Sequence, residues 1–223
     1  MLKDLIGIVD ATEENDRLKE ITKTRSLVAL PFASRYRLID FLLSNMVNSG
    51  ISNVGIITQH HYNSLVDHLG SGKEWDLNRK RGGLFIFPPY GNDKSQDWYH
   101  GDVDALESAM GFIKRCKENY VLVSGSSMLC KLTFDDAFAM HLEKNADITL
   151  FYKKKDTITR EESSISTLLE TDDDGRVCDI QLNSTASKLN NIYMNMYIIE
   201  KHLLEYLLDE CISRGNYNFV KDI

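Results

Sequence analysis

Four polar segments of the sequence have the composition and position to carry chemistry, because they flank short apolar runs of the kind that form buried strands. These segments are Asp10–Arg25, Thr58–His61, Trp98–Asp104 and Ser124–Ser127. In open sheets built from alternating strands and helices, ligands bind beyond the carboxyl ends of the strands. The chemistry expected of these segments is therefore ligand binding. The sequence contains no Ser/His/Asp order and no nucleophile elbow that would indicate covalent catalysis.

Other residue groups are weaker candidates. His60–His61 has no carboxylate or cysteine partner nearby, and we interpret the pair as a loop or helix start. Lys153–Lys155 is typical of a solvated strand end. The four cysteines are widely spaced, at Cys116, Cys130, Cys178 and Cys211. With no CxxC pair and no histidine at ligand spacing, they are interpreted as reduced thiols of a cytoplasmic protein, and no metal site is predicted.

Strands alternate with helices over the first 150 residues, which predicts right-handed βαβ units and a mostly parallel sheet. The predicted strands of this part are Leu5–Val9, Asn53–Thr58, Leu84–Phe87 and Tyr120–Val123. Its predicted helices are Tyr36–Asn48, Tyr62–Leu69, Val103–Arg115 and Phe134–Glu143. Residues 71–101 otherwise form a long loop or hairpin. Later strands, at 166–169, 177–182 and 192–199, are expected as antiparallel additions at one edge. The predicted fold class is α/β, a single domain with helices on both faces of the sheet.

Composition excludes several functions. The 223 residues include 43% apolar and 26% charged residues, as in ordinary globular proteins. The 33 acids outnumber the 26 bases, giving a net charge of −7, and a dedicated nucleic-acid binder would carry a basic face instead. The sequence contains no apolar run of about 18 residues, so we expect no membrane span. Its start, Met1–Asp4, lacks the apolar core of a signal peptide. We expect a cytoplasmic protein with no nucleic-acid or membrane partner.

Two stretches resemble a known family. The first, LPFASRYRLIDF at Leu30–Phe41, continues through 43–51 to Gly55–Gln59, and the second, WYHGDVDA, is Trp98–Ala105. Together they resemble bacterial glucose-1-phosphate adenylyltransferase (ADP-glucose pyrophosphorylase), which makes the glucosyl donor for glycogen. The resemblance implies a nucleotidyltransferase-like (Rossmann-like) domain over residues 1–223. It also implies a C-terminal left-handed β-helix domain in the full protein, absent from this chain.

The family has an active subunit type and, in Gram-positive bacteria, a regulatory type whose site has decayed. Active members carry Ala-Gly-Gly-x-Gly-x-Arg-Leu after the first strand, where glycines let backbone N–H groups approach the ATP phosphates. Ungapped alignment from Pro31 places Ala11–Leu18 on this motif, with Arg17 retained. The three glycines are replaced by Thr12, Glu13 and Asn15. Leu27 stands where active members have a phosphate-binding lysine, and leucine cannot donate to phosphate.

The resemblance also implies that the metal site is degraded. Active members have Gly-Asp-His after the central strand, and that aspartate holds Mg²⁺. Ser126 replaces it here, whereas the second carboxylate of the family matches Asp222, preceded by Lys221. Mg²⁺ sites for phosphoryl transfer normally use one or two carboxylates. We therefore expect no bound Mg²⁺ and no intact catalytic residue, although Mg²⁺ is the cofactor of active members.

The glucose-1-phosphate side departs from the family pattern as well. The Glu-Lys-Pro expected between Ile180 and Lys188 is missing, and Tyr193 and Asn195 stand where smaller residues would leave room for the sugar. Gly101, Asp104 and Gln59 match the family, whereas Asp102 replaces a threonine. These survivors are interpreted as packing residues or as remnants of the site.

The resemblance favours the regulatory, catalytically degenerate subunit type, partner of an active subunit in a hetero-oligomer that makes ADP-glucose for glycogen. Two alternatives stay open. The domain could be a weak adenylyltransferase that relies on Asp104 and Asp222. It could also be a non-catalytic module that senses sugar phosphates or binds other proteins.

Overall fold

The computed structural model describes residues 4–13, 16–79, 82–89, 99–185 and 187–222. The strands in this part of the chain are β1 (Leu5–Ala11), β2 (Pro31–Phe32), β3 (Tyr36–Arg37), β4 (Asn53–Thr58), β5 (Gly83–Phe87), β6 (Tyr120–Gly125), β7 (Ile148–Lys154), β8 (Thr167–Thr171), β9 (Val177–Leu182) and β10 (Asn191–Glu200). The helices are α1 (Lys19–Thr22), α2 (Leu38–Asn48), α3 (Asn63–Leu69), α4 (Asp102–Arg115), α5 (Asp135–Glu143), α6 (Arg160–Ser163), α7 (Lys201–Ser213) and α8 (Phe219–Asp222). Among the described residues no helix is long and apolar enough to cross a membrane.

The chain divides into two compact units. The first comprises Met1–Thr149 and Ile198–Ile223, and the second is Leu150–Tyr197. The chain passes from the first unit to the second within β7 and returns within β10.

In the first unit the strand order β5-β4-β1-β6 places the first strand of the sequence at the centre. β1 pairs in parallel with β4 and β6, and β4 pairs in parallel with β5. Every residue of β1 is buried, as expected for a strand covered on both faces. A Cβ at Gly7 would lie 2.7 Å from Sδ of Met46, so this glycine allows α2 to pack closely on β1.

The spacing of apolar residues in α2 determines which face of the helix is buried. Its buried face includes Ile39, Leu42, Leu43 and Met46, which recur at helical spacing. The Asp40 side chain accepts a hydrogen bond from the backbone N–H of Arg37 at the helix start. The helix ends at Asn48, and Gly50 follows with a φ of 86°, a left-handed conformation that glycine adopts without strain.

The second unit contains antiparallel pairing. β8 pairs with β9 throughout its length and with β10 at Asn191 and Ile192. β9 carries a mostly exposed set of side chains. The expectation of antiparallel strands in the later part of the chain is therefore confirmed.

The α/β fold class with a mixed, mostly parallel sheet is confirmed, and element boundaries differ by a few residues. α2 begins at Leu38 rather than Tyr36, because Tyr36 and Arg37 form β3 and pair with β2 in a hairpin. The buried 3-10 helix Leu27–Ala29 and the terminal helix α8 were not expected from the sequence. Of the predicted loop at 71–101, residues 80–81 and 90–98 lie outside the described part.

Candidate functional site

The candidate site lies where the three central parallel strands end. The register pairs Asp10 of β1 with Gly125 of β6, and Ala11 with Thr58 of β4. The segments that follow these strands therefore leave the sheet at one edge, as the sequence predicted for a parallel sheet. This edge brings together the substituted glycine loop, Ser126 and the turn at His60–His61.

The first contact at this edge joins two substituted positions. One carboxylate oxygen of Glu13 accepts hydrogen bonds from the backbone N–H and the hydroxyl of Ser126, at 3.3 and 3.1 Å. The resemblance predicts that Glu13 replaces a glycine of active members and that Ser126 replaces their metal-binding aspartate. An internal carboxylate therefore takes donors at the end of β6 that a bound anion would otherwise use.

A second carboxylate, that of Asp10, is buried beneath the loop. Its Oδ1 accepts hydrogen bonds from the N–H of Thr12 at 3.0 Å and from the Thr12 hydroxyl at 2.6 Å. The pKa of Asp10 is raised from 3.8 to about 6, chiefly by burial and to a lesser extent by the charges of Glu13 and Asp102, against the lowering effect of the hydrogen bonds from Thr12. Thr12, which replaces the first loop glycine, thus has a structural partner.

A third carboxylate group surrounds the start of α4. Asp102 accepts hydrogen bonds from the N–H groups of Val103 and Phe219, at 3.0 and 2.8 Å. Burial raises the pKa of Asp102, and nearby Asp222 raises it too, against these two hydrogen bonds. Asp222 itself accepts from the N–H of Asn218 at 2.9 Å and so caps α8. Asp102 therefore joins α8 to the start of α4, whereas Asp222 stabilises the start of α8 itself.

Ser126 and Asp222, the two positions that the resemblance assigns to Mg²⁺, do not fit the ion. The described residues contain no group of three or more histidine, cysteine or acidic side chains arranged to hold a metal ion. Ser126 offers a neutral hydroxyl that is already bonded to Glu13. Asp222 is occupied as a helix cap.

A cleft of about 350 Å³ opens beside the loop. It is lined by Ala11, Thr12, Glu13, Lys19, Thr22, Lys23, Arg25, Ser26, Leu27, His60 and His61. Leu27, in the position of the phosphate-binding lysine, is only 5% exposed and contributes an apolar wall. The cleft volume lies near the lower end of the range for small-molecule sites, roughly 300–1,000 Å³.

The residues that match the family motifs lie outside the cleft lining. Arg17, Gln59, Gly101, Asp104 and Lys221 do not line the cleft. Asn15 lies outside the described residues.

Two of these retained positions have structural partners. A Cβ at Gly101 would lie 2.0 Å from the carbonyl oxygen of Tyr217, so glycine is needed for the close approach of the segment before α8. Asp104 accepts hydrogen bonds from the backbone N–H and ring Nδ1 of His100, at 3.2 and 3.3 Å. Packing therefore gives a physical reason for both residues.

Tyr193 and Asn195 lie on β10 in the second unit. Tyr193 is buried, and Asn195 has a left-handed φ of 52°. That these residues occupy the space of a sugar stays a prediction.

Several residues of the site were missed by sequence reasoning. Asp10 was not singled out, although a carboxylate ending a strand that is otherwise entirely apolar is a usable signal. Sequence reasoning also missed Lys19, Lys23 and Arg25 as residues of the cleft, because it treated the segment of Lys23 and Arg25 as extended. The segment is instead helical at Lys19–Thr22 and turns at Arg25, whose N–H donates to the Thr22 carbonyl.

The fold and site define an α/β protein with a ligand cleft at the carboxyl edge of a mostly parallel sheet. The sequence profile of the family described as Nucleotidyl transferase matches residues 11–219, and the chain belongs to this family. A solved structure described as a putative glucose-1-phosphate thymidylyltransferase from Bacillus anthracis shares the fold. It has a TM-score of 0.72 and 18% identity, over 91% of this chain and 74% of that one.

Curated relatives share more of the sequence. A glucose-1-phosphate adenylyltransferase of Clostridium novyi (strain NT) is 34% identical over 99% of this chain and 58% of its own length. A protein named Glycogen biosynthesis protein GlgD, from Geobacillus stearothermophilus, is 42% identical over 67% of this chain and 43% of its own length. The chain therefore spans little more than half of the Clostridium relative.

Proposed function

We propose that this chain is the nucleotidyltransferase-like part of a regulatory, catalytically degenerate subunit of glucose-1-phosphate adenylyltransferase. The protein supports formation of ADP-glucose and diphosphate from ATP and glucose-1-phosphate, for glycogen synthesis, as the partner of an active subunit. The relatives named for this activity and for glycogen biosynthesis support the pathway. They do not distinguish the active from the regulatory type.

The observation that carries the regulatory assignment is the Glu13–Ser126 contact. Both residues are substitutions at positions that serve the ATP phosphates and the metal in active members, and here they bond to each other. The polyphosphate of ATP would meet the Glu13 charge at the place where glycine amides should receive it. Two like charges about 4 Å apart repel by roughly 4 kcal/mol at an effective dielectric near 20.

Two further features of the same edge support the assignment. Leu27 replaces a cation with a buried apolar side chain, and Asp222 serves as a helix cap. Removing one positioned group that stabilises transition-state charge costs ~10²–10³ in rate. Several such losses compound, although not additively.

The test is reconstitution with an active subunit. The protein that carries this chain is co-expressed with an active glucose-1-phosphate adenylyltransferase, and we expect a mixed complex on size exclusion. ADP-glucose formation by that complex should differ from that of the active subunit alone, because the partner alters the active subunit rather than adding a second site. Heat-denatured protein at the same concentration is the control. If no mixed complex forms, the regulatory role is wrong.

The weak-enzyme alternative makes a different prediction. If Asp104 and Asp222 sustain activity, the protein alone should form ADP-glucose slowly, and Asp222→Asn should abolish that formation. Under the proposed function, Asp222→Asn changes stability through the cap of α8 and leaves a background rate that is already negligible.

A further inference from the structure

We propose that β9 pairs with β9 of a second copy of this chain, antiparallel and around a two-fold axis at Ile180. This inference goes beyond the proposed function, since it concerns contact between copies of the chain rather than contact with an active subunit. An active subunit can bind at another surface, so the two ideas fail separately.

β9 is an edge strand. It lies at the end of the strand order, beyond β8, and in the part of the chain that the structure describes it pairs with β8 alone. Four of its six side chains are exposed. A strand in this position presents a row of backbone N–H and C=O groups with which another strand can pair.

The edge lacks the features that normally prevent such pairing. Edge strands are usually protected by proline, by several charges or by a bulge. β9 contains no proline and one charged residue, Asp179. Its pairing with β8 is regular from Asp179 to Leu182, and the one register shift falls at the start of the strand. Residues 179–182 therefore form a regular and unprotected edge.

The two faces of β9 differ in chemistry. Side chains alternate along a strand, so Ile180 and Leu182 share one face. Both are exposed, at 39% and 42%. Asp179 and Gln181 share the other face, where the Gln181 amide donates to the Asp179 carboxylate at 3.1 Å. A partner strand must therefore match an apolar face and a polar face together.

One antiparallel register of β9 with itself matches both faces. An axis at Ile180 places this residue opposite its own copy on the apolar face. On the polar face the same axis places Asp179 opposite Gln181 of the second copy, because directly opposed residues share a face. The Gln181 amide has a second N–H that can donate to this carboxylate. The only charge of the strand thus gains a donor from the other copy.

Other registers fit less well. An axis at Asp179 would place two like charges directly opposite each other, which is destabilising. An axis at Gln181 would place Asp179 opposite Asn183, which lies beyond the end of β9 with a left-handed φ of 50°. An axis between two residues would bring the apolar face of one copy beside the polar face of the other.

This self-complementary pattern identifies the occupant of the edge. A two-fold contact between identical chains uses the same patch on both, and the patch must complement itself. β9 meets that requirement in the register at Ile180. A pair of five-residue strands is smaller than a stable interface, which buries roughly 1,200–2,000 Å². Pairing through β9 alone should therefore be weak, and its detection needs concentrated protein or a covalent trap.

The experiment is disulfide trapping in the protein that carries this chain. The native thiol of β9 is first removed as Cys178→Ser, and Ile180→Cys is added to this parent. Opposed Cα atoms of an antiparallel pair lie about 4.5–5.5 Å apart, a distance that a disulfide spans. The matched control is Leu182→Cys in the same parent, since Leu182 has similar exposure on the same face. In the proposed register its Cα lies about 13 Å from that of its own copy, beyond the reach of a disulfide.

We expect Ile180→Cys to form a disulfide-linked dimer on mild oxidation, at about fivefold or more the yield of the control and of the parent. Adding Gln181→Glu should lower that yield about fivefold, because two carboxylates then oppose each other. Further adding Asp179→Lys should restore the yield, since lysine then faces glutamate. Circular dichroism should show every variant folded, because these side chains are at least partly exposed.

Three results overturn the proposal. The first is no cross-linked dimer with Ile180→Cys in concentrated protein. The second is equal cross-linking of Leu182→Cys, which would indicate random collision or another register. The third is a yield that Gln181→Glu leaves unchanged.

Discussion

Asp10 is the penultimate residue of β1, the central strand of the first unit, and its buried carboxylate accepts hydrogen bonds from Thr12. Its folded pKa of about 6 lies above the ordinary 3.8, because burial disfavours the charge. The raised value means that Asp10 contributes most to stability while protonated. That contribution is present below about pH 4 and is lost as pH rises through about 6.

We predict that Asp10→Asn stabilises the protein at neutral pH. The amide removes the buried charge and keeps an acceptor for Thr12. The gain in the free energy of unfolding should be small near pH 4, grow with pH, and approach about 3 kcal/mol above pH 7. Urea unfolding at several pH values measures it, with exposed Asp173→Asn as control. A loss of stability at pH 7.5 would show that the ionised carboxylate is needed.

Glu13 and Ser126 form a pair whose members should depend on each other. Ser126→Asp alone places a second carboxylate against Glu13, so we predict that it destabilises the fold by about 1–3 kcal/mol. With Glu13→Gly present, the same change should cost much less. A double-mutant cycle by thermal unfolding measures this coupling. Equal costs of Ser126→Asp in the two backgrounds would contradict the contact.

The helices α4 and α8 form one structural element of the site edge. The carbonyl of Tyr217 accepts from Val103 N–H at 3.2 Å, and Asp102 accepts from Phe219. His100 stacks on Tyr217, with ring centroids 4.9 Å apart. The start of α4, which includes the family positions Gly101 and Asp102, therefore holds α8 in place through contacts within the protein.

We predict that Gly101→Ala destabilises the protein, because the added methyl would lie 2.0 Å from the Tyr217 carbonyl oxygen. A forced shift of packed backbone costs about 1–3 kcal/mol. Gly111→Ala is the control, since a Cβ there meets only an Arg115 nitrogen at 3.8 Å. A glycine replaced in a helix interior should instead stabilise by about 1 kcal/mol. Urea unfolding of both variants measures these changes in the free energy of unfolding. If Gly101→Ala leaves that free energy unchanged, the packing role of Gly101 is wrong.

The sequence predicts elements better than it predicts contacts. Apolar periodicity identifies β1, β4 and α4, because buried faces repeat at the period of the element. It does not identify the hairpin of β2 and β3, since two-residue strands have no period. Likewise the carboxylate contacts of Glu13 and Asp102 join residues more than 100 positions apart, and no local pattern encodes them. Motif alignment marked these positions as substituted, but not what they bond.

At the scale of the whole molecule, the chain keeps the fold of its family. The family profile covers residues 11–219, and the parallel sheet keeps its cleft at the carboxyl edge. The lining of that cleft includes Glu13 and Leu27, at positions where the resemblance predicts glycine and lysine in active members. A C-terminal β-helix domain in the full protein stays a prediction. Under the proposed function, the fold is kept for interaction with an active subunit rather than for catalysis.

The most direct measurement is ADP-glucose formation by the protein alone and by its mixture with an active subunit whose metal-binding aspartate is replaced by alanine. We predict no appreciable synthesis in either case, although the mixed complex forms, because neither subunit then holds a working site. Synthesis by either sample near ordinary enzyme rates, about 1–10³ per second, would contradict it. Such a result would mean that the site at Glu13 and Ser126 is catalytic after all.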